Sequence, residues 1–256
     1  MTTRNAGVSS RLAAIRLHLR GVKRRLLWVF VSFGLGASLT WYFNKTVILW
    51  LLLPAHGQLS ATGRPVFTAP TDMISLVVKL ATVGGFVLAV PVLVYQVFQF
   101  IRPLLSKKLT RFLAIFLPAM LVCFLCGAAF AYFVLLPTGL GFLLQFGTDV
   151  ADPLVRITEY MDLTLAMLFW LGIVFELPLA MFLLAKMRIV SYKRFARFSR
   201  YVPAAAFILG AIITPTFDPV TVFFVAGPLI VLFGVGTFLA WLARPRTKKA
   251  RAGRNP

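Results

Sequence analysis

The stretch LGIVFELPLA, Leu171 to Ala180, carries one carboxylate, Glu176, in the middle of an apolar run and two residues ahead of Pro178. At the centre of a membrane helix such a carboxylate costs about 2.5–3.5 kcal/mol on insertion scales, so it needs a cavity or a partner. Pro178 has no amide hydrogen and its ring crowds the carbonyl of Val174, which frees that oxygen and bends a helix one turn ahead of the acid. An acid on the inner side of a bent helix makes a concave polar spot. Two readings stay open: a structural hydrogen bond between helices, or a carboxylate that meets a partner.

Other residues able to do chemistry are few. Cys123-x-x-Cys126 lies in an apolar segment with no further soft ligands nearby, so small residues packing in a helix explain it better than a metal or redox site. The two histidines, His18 and His56, both lie outside the apolar segments, which leaves no buried general base. There is no Walker motif, dinucleotide fingerprint, H-E-x-x-H or G-x-S-x-G. The chemistry points away from an enzyme, and neither a cofactor nor a metal is expected. Lys79 follows Asp72 by seven residues, which puts it about 10 Å down a helix. At that depth it is too shallow to pair with Glu176 and is expected to snorkel to the outer surface.

The elements that position these residues belong to a membrane. The 256-residue chain is 60% hydrophobic and 13% charged, and its apolar residues cluster in long runs. Of the 27 Lys and Arg, seven fall in residues 1–25, four in 102–111, six in 186–200 and six in 243–256. Asp72, Asp149, Asp152, Glu159, Asp162 and Asp218 fall in the alternate connections. Charges that alternate loop by loop follow the positive-inside rule, and the net charge of +20 therefore does not indicate nucleic acid.

Six spans are predicted: about 26–43 (with a possible extension to Leu53), Asp72 to Phe100, 112–136 ending at Pro137, Glu159 to Ala185, Arg200 to Thr214, and Val220 to Leu242. An even number of spans with basic ends puts both termini in the cytoplasm. Before the first span, residues 1–25 form a basic segment in which Leu12, Ile15, Leu19, Val22 and Leu26 recur at helical spacing. That pattern suits an amphipathic helix on an anionic membrane surface, the alternative being a solvated tail. After 26–242, residues 243–256 read as a basic, disordered cytoplasmic tail. The fifth span is short: Tyr201 to Ile213 rises only about 20 Å as a helix, against a hydrocarbon core of about 30 Å. Either the bilayer thins beside it, or the helix continues into the basic segment before it.

Six segments in this order resemble TatC, the multispanning core subunit of the twin-arginine protein translocase. They are HLRGVKRRLL, PTDMISLVVK, VPVLVYQVFQFIRPLL, GAAFAYFVLLP, GIVFELP and RYVPAAAFILGAIITPTFDP. The resemblance implies an all-α membrane protein of six transmembrane helices, N-in and C-in, curved like a cup and with short last helices. It implies a multi-pass protein of the cytoplasmic (inner) membrane that moves folded proteins with the proton-motive force. The implied partners are single-span Tat subunits of TatA/TatB type, twin-arginine signal peptides, membrane lipid and other TatC copies. Signal-peptide or partner contact is implied for Glu176, Phe175, Pro178, Gln96, Phe98, Phe100, Arg20 and Arg24. Outer-face structural roles are implied for Asp72, Thr214, Pro215 and Asp218.

Two positions depart from the family pattern. Where the family carries carboxylates that hold the signal's arginines, this chain has Gly21 and the pair Leu109–Thr110. Carboxylates suit guanidinium because each accepts two charge-assisted hydrogen bonds, and without them the cytoplasmic face is almost purely basic. A scaffold paralogue that pairs with a complete TatC is the second reading. A secondary transporter is the third, disfavoured by the absence of inverted repeats.

Overall fold

The computed structural model describes the backbone of residues 4–55, 65–101, 107–145, 154–187, 189–213 and 219–243, and the side chains over these ranges except 4–22, 100–101 and 107–115. Among the described residues the chain is helical, with a single isolated β-bridge. Five helical stretches are each long and apolar enough to cross a membrane. A sixth is formed by Lys23–Tyr42 together with Asn44–Ala55, bent by 75°. Six long apolar stretches with their backbone groups paired inside helices are the arrangement a bilayer demands, because it offers no water to satisfy a free amide.

The chain forms two compact units. The first comprises Met1–Leu125 and Leu140–Leu165. Here α1 (Arg4–Tyr42) runs unbroken from the basic N-terminal segment into the first span. At Phe43 it gives way to α2 (Asn44–Leu52), so the 75° bend, and not a straight extension to Leu53, ends the first span. α1 packs on α3 (Asp72–Ile101) through small residues. A Cβ added to Gly36 would lie 3.2 Å from the Gly85 backbone and 3.0 Å from Leu88 Cβ, so the two helix backbones approach as closely as glycine permits. The Phe33 and Phe86 rings, 4.7 Å apart, fill the space beside them.

Before α3, residue Val66 pairs with Arg156 in the isolated parallel bridge, its amide donating to Val155 O (3.0 Å) and its carbonyl accepting from Ile157 N (2.9 Å). The tie joins the segments that lead into the second and fourth spans. Nothing in the local sequence announces it.

Two features differ from expectation, and a third decides between the two readings of the fifth span. The third span, α4 (Lys107–Phe130), a π-helical turn (Ala131–Leu135) and α5 (Leu136–Gln145), runs through Pro137 instead of ending there. Proline cannot donate to the carbonyl of Phe133 and would collide with it in a regular helix. The wider π-turn directly ahead absorbs the misfit. In the fourth span, α6 (Ile157–Phe175) and α7 (Leu177–Lys186) meet at Glu176 itself, not one turn earlier. The fifth span continues into the basic segment: α8 (Tyr192–Phe198), a 3₁₀ turn (Ser199–Tyr201) and α9 (Val202–Ile213) make one 22-residue stretch. Its apolar part is short, whereas the sixth span, α10 (Pro219–Leu242), has 24 residues and is full length.

The second unit, Cys126–Gly139 with Ala166–Pro256, is built on α10, which packs against α7 and α9. Gly236 of α10 sits where a Cβ would come 3.0 Å from Pro178 Cα and 2.5 Å from Met181 Sδ. The last span thus rests directly on the interrupted part of the fourth.

Candidate functional site

The break between α6 and α7 is local and backbone-driven. Glu176 N donates to Ile173 O (3.0 Å), a tightened i→i−3 bond, and Glu176 O accepts from Ala180 N (2.9 Å). Pro178 falls in the first turn of α7, where a missing amide hydrogen costs nothing. The sequence ELP therefore ends one helix and starts the next. Glu176 occupies the N-cap position of α7, yet its carboxylate does not cap the helix. Among the described residues it has no hydrogen-bond or ion-pair partner, and the residue is half-buried.

The wall beside it is aromatic and close-packed. The Phe175 ring lies 5.5 Å from that of Phe130. Gly127, one turn before Phe130, faces Leu171 and Phe175: an added Cβ would stand 2.5 Å from Leu171 O and 2.8 Å from Phe175 Cβ. This close approach fixes the end of α6, and with it the position from which Glu176 projects. A half-buried carboxylate without an internal partner, next to an aromatic surface, offers hydrogen-bond acceptance to a polar group brought by another molecule.

A second polar constellation lies in the first unit. Lys79 Nζ donates to both oxygens of Asp162, at 2.9 and 2.8 Å, with the two side chains 50% and 35% exposed. Lys79 is thus paired within the protein and does not simply snorkel. Asp72 Oδ2 accepts from Thr68 N (3.0 Å) and Ala69 N (2.9 Å), and the Arg156 guanidinium stands 3.6 Å away. Arg156 also reaches Glu159 at 3.2 Å. Asp72 in this way stitches the turn before α3 to the segment before α6.

The family model described as Sec-independent protein translocase protein (TatC) matches residues 17–228. The chain belongs to the TatC family. The TatC protein of Koribacter versatilis is 33% identical over 237 residues, covering 91% of this chain and 87% of that protein. The TatC protein of Aquifex aeolicus is 32% identical over 238 residues, covering 91% and 96%. A crystal structure described as the twin arginine translocase receptor TatC superposes with a TM-score of 0.79 at 32% identity, covering 88% of this chain and 99% of that one.

Of the contact residues implied by the TatC resemblance, Glu176, Phe175 and Pro178 stand together at the α6–α7 break. Gln96 and Phe98, both half-buried on α3, and Arg24, exposed on α1, belong to the other unit, as does Asp72. Arg20 and Phe100 lie on α1 and α3, with side chains outside the described residues. Thr214, Pro215 and Asp218 also fall outside them. The Lys79–Asp162 pair is the feature that sequence reading missed. Its signal is depth: Lys79 lies seven residues into α3 and Asp162 five into α6, so both sit about 8–10 Å from helix starts that the Val66–Arg156 bridge holds level.

Proposed function

We propose that this chain is the multispanning core subunit of a twin-arginine translocase in the cytoplasmic membrane, with both termini cytoplasmic, moving folded proteins with the proton-motive force. It acts by binding and assembly rather than by bond chemistry. Its partners are single-span subunits of TatA/TatB type and the twin-arginine signal peptides of cargo. The carrying observation is the unpartnered Glu176 carboxylate at the interrupted fourth span of a TatC-family chain. A carboxylate kept in an apolar span without an internal partner is suited to an intermolecular one.

Signal recognition differs in chemistry from the family pattern. With Gly21 on α1 and Leu109–Thr110 at the start of α4, no carboxylate stands at either expected guanidinium site. Backbone carbonyls and the aromatic Phe98 and Phe100 supply the remaining attraction, by hydrogen bonding and cation–π contact.

The test is complementation of a cell lacking its own TatC, co-expressing this chain with the single-span subunits of its own source. Export of a twin-arginine reporter is expected. Well-expressed, membrane-inserted protein without any export overturns the proposal. Glu176→Ala is expected to reduce export and co-purification of the single-span subunits several-fold while insertion stays intact.

A further inference from the structure

The entry into the fifth span carries charge that no acid among the described residues pairs with. Lys193, Arg194 and Arg197 on α8, and Arg200 in the turn that follows, are all exposed. None forms an ion pair among the described residues, and Glu176 is the only described acid in their unit. Lys193, Arg197 and Arg200 recur at i, i+4 and i+7, with Arg194 beside them, so at about 100° per residue the four make one stripe. The opposite side of α8 is tied down: Tyr192 and Phe195 pack on the small-residue cluster of Ala185, Ala240 and Ala243 at the ends of α7 and α10. The stripe is therefore presented outward by a fixed helix, not carried on a loose tail.

Beside the stripe are two aromatic rings. Phe198 and Tyr201 are each 54% exposed, with centroids 6.4 Å apart, and the Arg200 guanidinium lies 4.6 Å from the Tyr201 ring centroid. The helical path then continues into the apolar α9 without a break. Cations next to exposed aromatics, at the level where a span leaves the bilayer, match one environment: phosphates outside and acyl chains within. A soluble polyanion would satisfy the cations and leave the rings in water. A twin-arginine signal is itself cationic and would be repelled.

We propose that the outward face of α8 and its following turn is a docking site for anionic phospholipid headgroups, with Lys193, Arg194, Arg197 and Arg200 meeting phosphates while Phe198 and Tyr201 seat at the glycerol level. The lipid holds down the basic end of a span whose apolar part is short. The site requires only that the chain spans a membrane, so it is independent of signal recognition or export.

The test uses the full chain purified in neutral detergent and exposed to equimolar phosphatidylglycerol and phosphatidylcholine, with retained lipid counted by native mass spectrometry. Phosphatidylglycerol is expected to be enriched at least about threefold, and added salt is expected to reduce the enrichment. The fourfold variant K193Q/R194Q/R197Q/R200Q, checked for native helicity by circular dichroism, is expected to lose at least about half of that enrichment, the rest being carried by the basic segments 1–25, 102–111 and 243–256. If that variant does not fold, the double variants K193Q/R197Q and R194Q/R200Q are each expected to lose part of the enrichment. Equal retention by the parent protein, or full enrichment in a folded variant, overturns the proposal. So does equal thermal stabilisation by inorganic phosphate and by phosphatidylglycerol, which would assign the stripe to a free anion.

Discussion

At the scale of single residues, two polar features of the membrane region have opposite fates. Lys79 finds Asp162 inside its own unit, whereas Glu176 finds no partner among the described residues. An internal pair is a matter of stability. Lys79→Ala or Asp162→Ala should lower the thermal midpoint in detergent by a few degrees, consistent with about 0.2–1 kcal/mol for a half-exposed pair. The exchanged variant K79D/D162K should recover most of that loss. An unpaired carboxylate is a matter of function, so Glu176→Gln separates its charge from its hydrogen-bonding capacity. Export that survives in the glutamine variant but not in Glu176→Ala would identify hydrogen bonding as what matters. The two residues were unequally legible. Glu176 stands out because every neighbour is apolar, while Asp162 looks like an ordinary loop-end acid until its depth is matched with that of Lys79, 83 positions away.

At the scale of elements, prolines and glycines decide the path of each span, and they were only partly readable. Pro178 marked the fourth span as bent, but the helix is interrupted at Glu176 because Pro178 is accommodated in the first turn of a new helix. Pro137 carried the same letter and a different outcome, since the π-turn ahead of it lets the helix proceed to Gln145. A local rule cannot tell these cases apart, because the deciding term is the backbone geometry of the preceding turn. Pro178→Ala should restore an amide at position 178 and regularise the break, read as slower amide exchange at residues 177 and 179. Gly236→Val should push α10 off Pro178 and Met181, at a cost of about 1–3 kcal/mol for overpacking. Thermal unfolding in detergent measures it, with Gly234→Val, where nothing lies within 4 Å, as the control.

At the scale of the whole molecule, alternation of basic and acidic connections and the lengths of the apolar runs were enough to specify a six-span helical membrane protein. They carry this information because a bilayer penalises every exposed backbone amide, leaving few architectures to choose from. What lay beyond reach was tertiary: the bridge at Val66, and the fixing of α8 against α10. The missing carboxylates give a prediction at this scale. Gly21→Glu combined with Leu109→Glu should increase photocrosslinking to a twin-arginine signal peptide several-fold, because two carboxylates then face two guanidiniums. An unchanged yield would show that recognition here uses other contacts. The Val66–Arg156 bridge has a mechanical consequence. Its two backbone bonds, with Asp72 gripping the adjacent turn and Arg156 beside it, splint the starts of the second and fourth spans together. Traction applied to the segment before either helix is delivered to the starts of both.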